Sequence, residues 1–85
     1  MTDPVRDKVR DFILENYLFT TDTTALGLDD SLLEHGIVDS SGMMEIIFFI
    51  EEKLGVAMRE DEMTPDNLDS VNKITRFVQS KLQSG

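Results

Sequence analysis

The chain contains no cysteine. That excludes disulfide staples, thiolate zinc sites and a native thiol nucleophile, and it is the pattern expected of a cytoplasmic protein. Bases are scarce: eight Lys and Arg stand against seventeen Asp and Glu, for a formal charge of −9. The deficit is concentrated between Asp29 and Asp69, where twelve acids meet only Lys53 and Arg59, a balance of −10, while the remaining residues sum to +1. Phosphate backbones need basic surface, so nucleic acid is not an expected ligand. A basic protein surface is the natural complement, and the field would steer its approach. No apolar run approaches the ~20 residues of a bilayer span. The start, Met1 to Lys8, is charged and leads into no signal-peptide core, so no membrane span is expected. There is no internal repeat, low-complexity tract or second domain, and residues 1–85 read as a single domain. A chain this short buries only about 60–65% of its unfolded surface, which leaves little room for a deep catalytic cleft.

What is present is helical periodicity. Asp3 is a good N-cap and Pro4 suits the first helical position. Val5, Val9, Phe12, Ile13 and Tyr17 recur at helical spacing, so a first helix is expected from Pro4 to about Tyr17 or Leu18. A long connection follows, from Phe19 to Val38, with Gly27 and Gly36 as breakers. Leu26, Leu28, Leu32, Leu33, Ile37 and Val38 are its expected anchors. Ser31-Leu32-Leu33-Glu34 reads as a capping box opening a short helical turn. The second helix is expected from about Ser40 to Leu54, with Asp39 as N-cap and Gly55 as the residue that ends it. Met43, Ile46, Ile47, Ile50 and Leu54 form its inner stripe. Phe49 lies farther around and is expected to pack on the long loop. Val56 to Arg59 is a short extended stretch. Thr64 and Pro65 start one short helix. Ser70 caps the last, whose inner stripe is Val71, Ile74, Val78 and Leu82 beside Phe77, with Ser84 and Gly85 fraying. The expected fold is all-α: a small bundle of three main helices plus one short helix, with a long loop between the first and second helices.

The chemistry centres on Gly36-Ile37-Val38-Asp39-Ser40-Ser41-Gly42. This turn places the Ser40 hydroxyl at the first turn of the second helix. Unpaired N–H groups and the positive dipole end favour an attached phosphate there. Stepping ~100° per residue puts Ser40, Met44, Phe48 and Glu51 on one face, away from the inner stripe. Ser41, Glu45 and Glu52 flank them. Two apolar side chains on the solvent side, rimmed by acids, suggest a docking surface. His35, Asp39 and Ser40 invite a hydrolase reading. They lie too close on one turn for a relay, however, and no Gly-x-Ser-x-Gly elbow is present. Glu60, Asp61, Glu62, Asp66 and Asp69 lack EF-hand spacing, so at most a weak divalent-ion site is expected and no structural metal. Without any attached group, the same surface would suit a small acidic helical adaptor for protein–protein interaction.

The residues Ser31-Leu32-Leu33-Glu34-His35-Gly36-Ile37-Val38-Asp39-Ser40 resemble the loop-to-serine segment of the acyl carrier protein family. Glu45 to Leu54 is similar to that family's acidic second helix, and Leu68 to Ile74 to the start of its last helix. The resemblance covers nearly the whole chain. It implies a non-catalytic carrier, with Ser40 as the attachment point for 4′-phosphopantetheine drawn from coenzyme A and Asp39 as the acid that assists the transferase and its metal. Cargo would ride on the arm as a thioester. Partner contacts would fall on Ser41, Met44, Glu45, Phe48, Glu51 and Glu52. The implied partners are a phosphopantetheinyl transferase, an acyl or aminoacyl ligase, and acyltransferases with basic docking surfaces, meeting a monomeric carrier. Where the commonest fatty-acid carriers have leucine after the serine, this chain has Ser41 and then Gly42. The Asp-Ser-x-Gly form is closer to D-alanyl, aminoacyl and specialised carriers. Asp30-Ser31-Leu32 matches the commoner tripeptide, but no long amphipathic helix follows it and Ser31 is expected to be a cap.

Overall fold

The computed structural model describes residues 4–84. Helix α1 spans Pro4–Ile13 and continues as a π-helical turn over Leu14–Leu18. The expected end of the first helix is correct, but its last turn is wider than an α-turn. Phe19 closes it in the left-handed region (φ 53°), donating its N–H to the Leu14 carbonyl. The Asp3 cap lies outside the described residues. A short 3₁₀ turn, Thr23–Ala25, opens the long loop and is capped by Asp22, whose side chain accepts from the Thr24 N–H. Helix α2 spans Ser40–Lys53, α3 Pro65–Leu68 and α4 Val71–Ser84, with a second 3₁₀ turn at Glu60–Glu62. Helix α4 continues through Ser84, where fraying is the expectation from sequence; Gly85 lies outside the described residues.

The core joins all of these. Val9, Ile13 and Leu14 meet Ile46, Ile47 and Ile50 of α2 and Val71, Ile74 and Val78 of α4, with Leu26, Leu32 and Leu68 buried among them. Helix α1 lies against α4, and α3 lies against α4. Ser70 caps α4 as expected, its Oγ accepting from the Lys73 N–H at 3.0 Å. Thr75 is buried in the α4 stripe and satisfies its hydroxyl by donating to the Val71 carbonyl at 2.7 Å. Thr64 has the extended backbone of an N-cap but makes no side-chain cap bond.

Three expected side-chain placements are corrected. Leu33 is 39% exposed and Leu82 is 52% exposed. Leu33 sits on the outer side of the single turn at 32–36, and Leu82 lies in the last turns of α4. Phe49 packs on α1 instead of the long loop: its ring stacks on Phe12 with centroids 4.3 Å apart. Met43 and Leu54 are only partly buried at the two ends of the α2 stripe.

The long loop is stitched to the start of α4. The Leu32 N–H donates to the Asp69 carbonyl at 2.8 Å, and the Asn72 N–H donates to the Leu28 carbonyl at 3.0 Å. The Asp69 carboxylate accepts the Ser31 hydroxyl at 2.5 Å and the Leu33 N–H at 3.0 Å. Both Asp69 oxygens are therefore spent on the loop. Ser31 acts as the expected cap, accepting from the Glu34 N–H at 3.1 Å. Such long-range ties satisfy loop backbone groups that would otherwise be buried without partners.

Glu62 pins the connection between α2 and α3 to α4. It accepts the Arg59 N–H at 2.9 Å, and Lys81 Nζ reaches both of its oxygens at 3.0 Å. The Arg59 N–H first and the Lys81 ammonium second hold the Glu62 carboxyl below its ordinary value. A depressed carboxyl stabilises the fold above its unfolded pKa, and that stabilisation is lost as pH falls through the lower folded value. Glu62→Gln is thus expected to flatten the fall in melting temperature that begins near the ordinary glutamate value of 4.5. Thermal melts stepped through the acid range check this; an unchanged acid limb in the variant would contradict it.

Candidate functional site

Helix α2 begins where the sequence places it. Asp39 is extended, and its Oδ1 accepts the Gly42 N–H at 2.9 Å, while its carbonyl accepts the Met43 N–H at 2.9 Å. These bonds fix the first turn, with Ser40 as its first helical residue and its side chain exposed. Asp39 is likewise exposed on the solvent side of the cap. At the other end Gly55, at φ +69°, lets the Val56 N–H turn back to the Ile50 carbonyl at 3.4 Å. Left-handed backbone favours glycine at that step.

The outer face of α2 carries Met44 (47% exposed) and Phe48 (56% exposed) beyond Ser40. Ser41, Glu45 and Glu52 are also exposed. Glu51 differs from them: it is half-buried, and its Oε2 accepts the Met58 N–H at 3.4 Å. It thus ties α2 to the following segment as well as facing outward. The acids share this face with apolar side chains, a combination suited to short-lived docking by a basic surface.

His35 is exposed, and its Nε2 lies 3.9 Å from Asp30 Oδ1. Asp39 is meanwhile engaged with Gly42. The three residues of the hydrolase reading are not brought into a relay. Among the described residues no group of three or more His, Cys, Asp or Glu side chains is arranged to hold a metal ion, and no helix is long and apolar enough to cross a membrane.

The structure adds residues that sequence reasoning missed. Tyr17, in the π-turn after α1, donates its hydroxyl to Glu45 Oε2 at 2.5 Å and lies 3.3 Å from the Gly42 carbonyl. Burial first, then the Glu45 hydrogen bond and the charges of Glu45 and Asp39, push the Tyr17 phenol well above its ordinary value, so it remains a donor. Gly42 has a packing reason: a Cβ there would lie 3.0 Å from Val38 Cβ and 3.3 Å from the Tyr17 ring. Phe12 forms the hub of an aromatic group, stacked on Phe49 and edge-on to Tyr17 at 6.1 Å. A shallow groove of about 450 Å³ runs over Phe12 and Phe49 between Lys8, Asp11, Glu15 and Lys53. The signal available in the sequence was Tyr17 itself, the chain's single tyrosine, placed on the α1 stripe and read only as core.

No curated protein matches the chain. The family model described as the phosphopantetheine attachment site matches residues 16–78, from the π-turn before the long loop to the buried stripe of α4. That match spans most of the chain, including the exposed serine at the head of α2 and the acidic face beyond it. The chain therefore belongs to the phosphopantetheine-attachment-site family, whose members bear a covalently attached 4′-phosphopantetheine.

Proposed function

We propose that residues 1–85 are a single carrier domain that holds acyl or aminoacyl groups on a 4′-phosphopantetheine arm joined to Ser40, and presents them to partner enzymes. The observation that carries this reading is the exposed Ser40 at the first position of α2, in a chain that matches the attachment-site family. The residues present suit the group. Ser40 is open to an approaching transferase, and the helix start offers partial positive charge to a phosphodiester. Asp39 keeps its carboxylate at the same turn, beside the serine, where a transferase-bound metal could meet it. When bound, the group supplies a flexible tether ending in the thiol that the protein's own side chains lack.

The chain's own residues hold the serine at a defined turn and present the outer face of α2. Acids at Glu45, Glu51 and Glu52 favour fast, salt-sensitive encounter with basic partners. Met44 and Phe48 give the contact an apolar centre. The Asp-Ser-x-Gly form supports an aminoacyl or specialised cargo over a housekeeping fatty-acid one. Tyr17 and Val38 also approach Gly42 closely, which gives the same glycine a packing role.

The test is incubation with coenzyme A and a broad-range transferase, followed by intact mass and peptide mapping. A gain of one arm on the peptide containing Ser40 is expected. An adaptor without a prosthetic group would gain no mass. Phe48→Ala is expected to raise the transferase KM about five- to thirtyfold, the weight of an apolar anchor worth about 1–2 kcal/mol. Its unfolding free energy should move by no more than about 0.5 kcal/mol, because the side chain is exposed. Unchanged KM with a clear loss of stability would assign Phe48 to the fold.

A further inference from the structure

We propose that Tyr17 is a positioning residue for the modification of Ser40, acting through Glu45 and the first turn of α2. This inference rests on the reading of Ser40 as the attachment serine. The phenol has one proton, and the 2.5 Å contact to Glu45 Oε2 is where it goes; the Gly42 carbonyl at 3.3 Å takes at most a minor share. A bond to a carboxylate is stronger than one between neutral groups. It holds a side chain that would otherwise sample many rotamers, an ordering cost then already met before a partner arrives. The carboxylate keeps its second oxygen for a partner's cation.

The ring does a second job. It closes against Gly42, where even one added carbon would meet the Tyr17 ring at 3.3 Å and Val38 at 3.0 Å. Tyr17 therefore abuts the turn that presents Ser40, although it lies 23 positions earlier in the chain. The wide turn at Leu14–Leu18 places it at the end of α1, and such π-turns often mark functional positions.

In the reaction concerned, a bond forms between Ser40 Oγ and the phosphopantetheinyl phosphorus of coenzyme A. The pyrophosphate link breaks, the phosphorylated adenosine half leaves with the electron pair, and the serine proton passes to a base of the transferase. Tyr17 takes no part in these bonds. Its contribution is the prearranged docking surface, so its removal should appear in KM.

The experiment measures initial rates of arm transfer by intact mass for the wild type, Tyr17→Phe, Glu45→Ala and the double variant, with Ser40→Ala alongside. Tyr17→Phe keeps the ring, so circular dichroism should match the wild type. Loss of the ordering that this bond imposes on the Glu45 side chain predicts a KM for the carrier about three- to tenfold higher, with kcat unchanged. Glu45→Ala removes the acceptor at an exposed helical position that needs no repacking, and should raise KM as well. Tyr17→Phe should add nothing on that background, since contacting residues that act as one unit are not additive. A wild-type KM in either single variant, or penalties that multiply in the double variant, overturns the positioning role. Arm transfer to Ser40→Ala is a separate result: it retires the attachment assignment itself, whatever Tyr17 does.

Discussion

Ser40→Ala is expected to leave the protein folded and wholly unable to accept the arm. The two halves of that expectation have different physical origins. The fold is spared because Ser40 is not the cap: Asp39 makes the capping bond to Gly42, and the Ser40 side chain is exposed. Alanine is the best helix former, so its cost at an exposed helical position is within about 0.5 kcal/mol. Modification is lost because no neighbouring hydroxyl has the same setting. Ser41 is one step further around the helix. Ser31 is partly buried, donates to Asp69 and accepts from the Glu34 N–H. The mirror-image control is Ser31→Ala, which should lower stability by about 0.5–2 kcal/mol, the worth of a lost cap, and still accept the arm on Ser40. Intact mass, peptide mapping and a thermal melt on both variants separate the outcomes. An arm found on Ser41 or Ser31 of Ser40→Ala would falsify the assignment.

The second large effect is on stability. Ile50→Ala is expected to cost about 2–5 kcal/mol, because the side chain is fully buried at the centre of α2 and the surrounding core cannot collapse to fill the space. Domains of this size have few kcal/mol in reserve. The melting temperature should fall by about 10 °C or more, since each kcal/mol shifts a domain this small by about 4–8 °C. Leu82→Ala is the control. It removes as many carbons from a residue that the helical period also assigns to the inner stripe, yet one that is 52% exposed. It should cost well under half as much. Urea titrations with constant slope would show both changes. A Leu82→Ala loss equal to that of Ile50→Ala would mean that the last turns of α4 are packed more tightly than described.

These pairs also mark where the sequence was readable. Caps are local devices, made between residues two or three apart, and the sequence shows them without help. Asp39 and Ser70 cap where expected, and Gly55 ends α2 where expected. Helical period sorts faces equally well in the middle of a helix, which is why Ile46, Ile47, Ile50, Ile74 and Val78 all proved buried. At helix ends the same period is blind, because burial there depends on whether another element extends far enough to cover the side chain. Leu82 fails for that reason, Leu33 lies on an isolated turn outside any helix, and Phe49 finds Phe12 where the loop was expected.

For the candidate site, sequence alone determined the turn, the cap, the exposed serine and the acidic face with Met44 and Phe48 on it. All of these follow from neighbours along one helix and from charge. Only the tertiary structure decided which distant residues brace that turn. Tyr17 reaches Glu45 across 28 positions, and Asp69 gathers the loop at Ser31 across 38. Nothing in a local pattern encodes such pairings, since each needs two segments packed by the core before a single hydroxyl can choose its carboxylate.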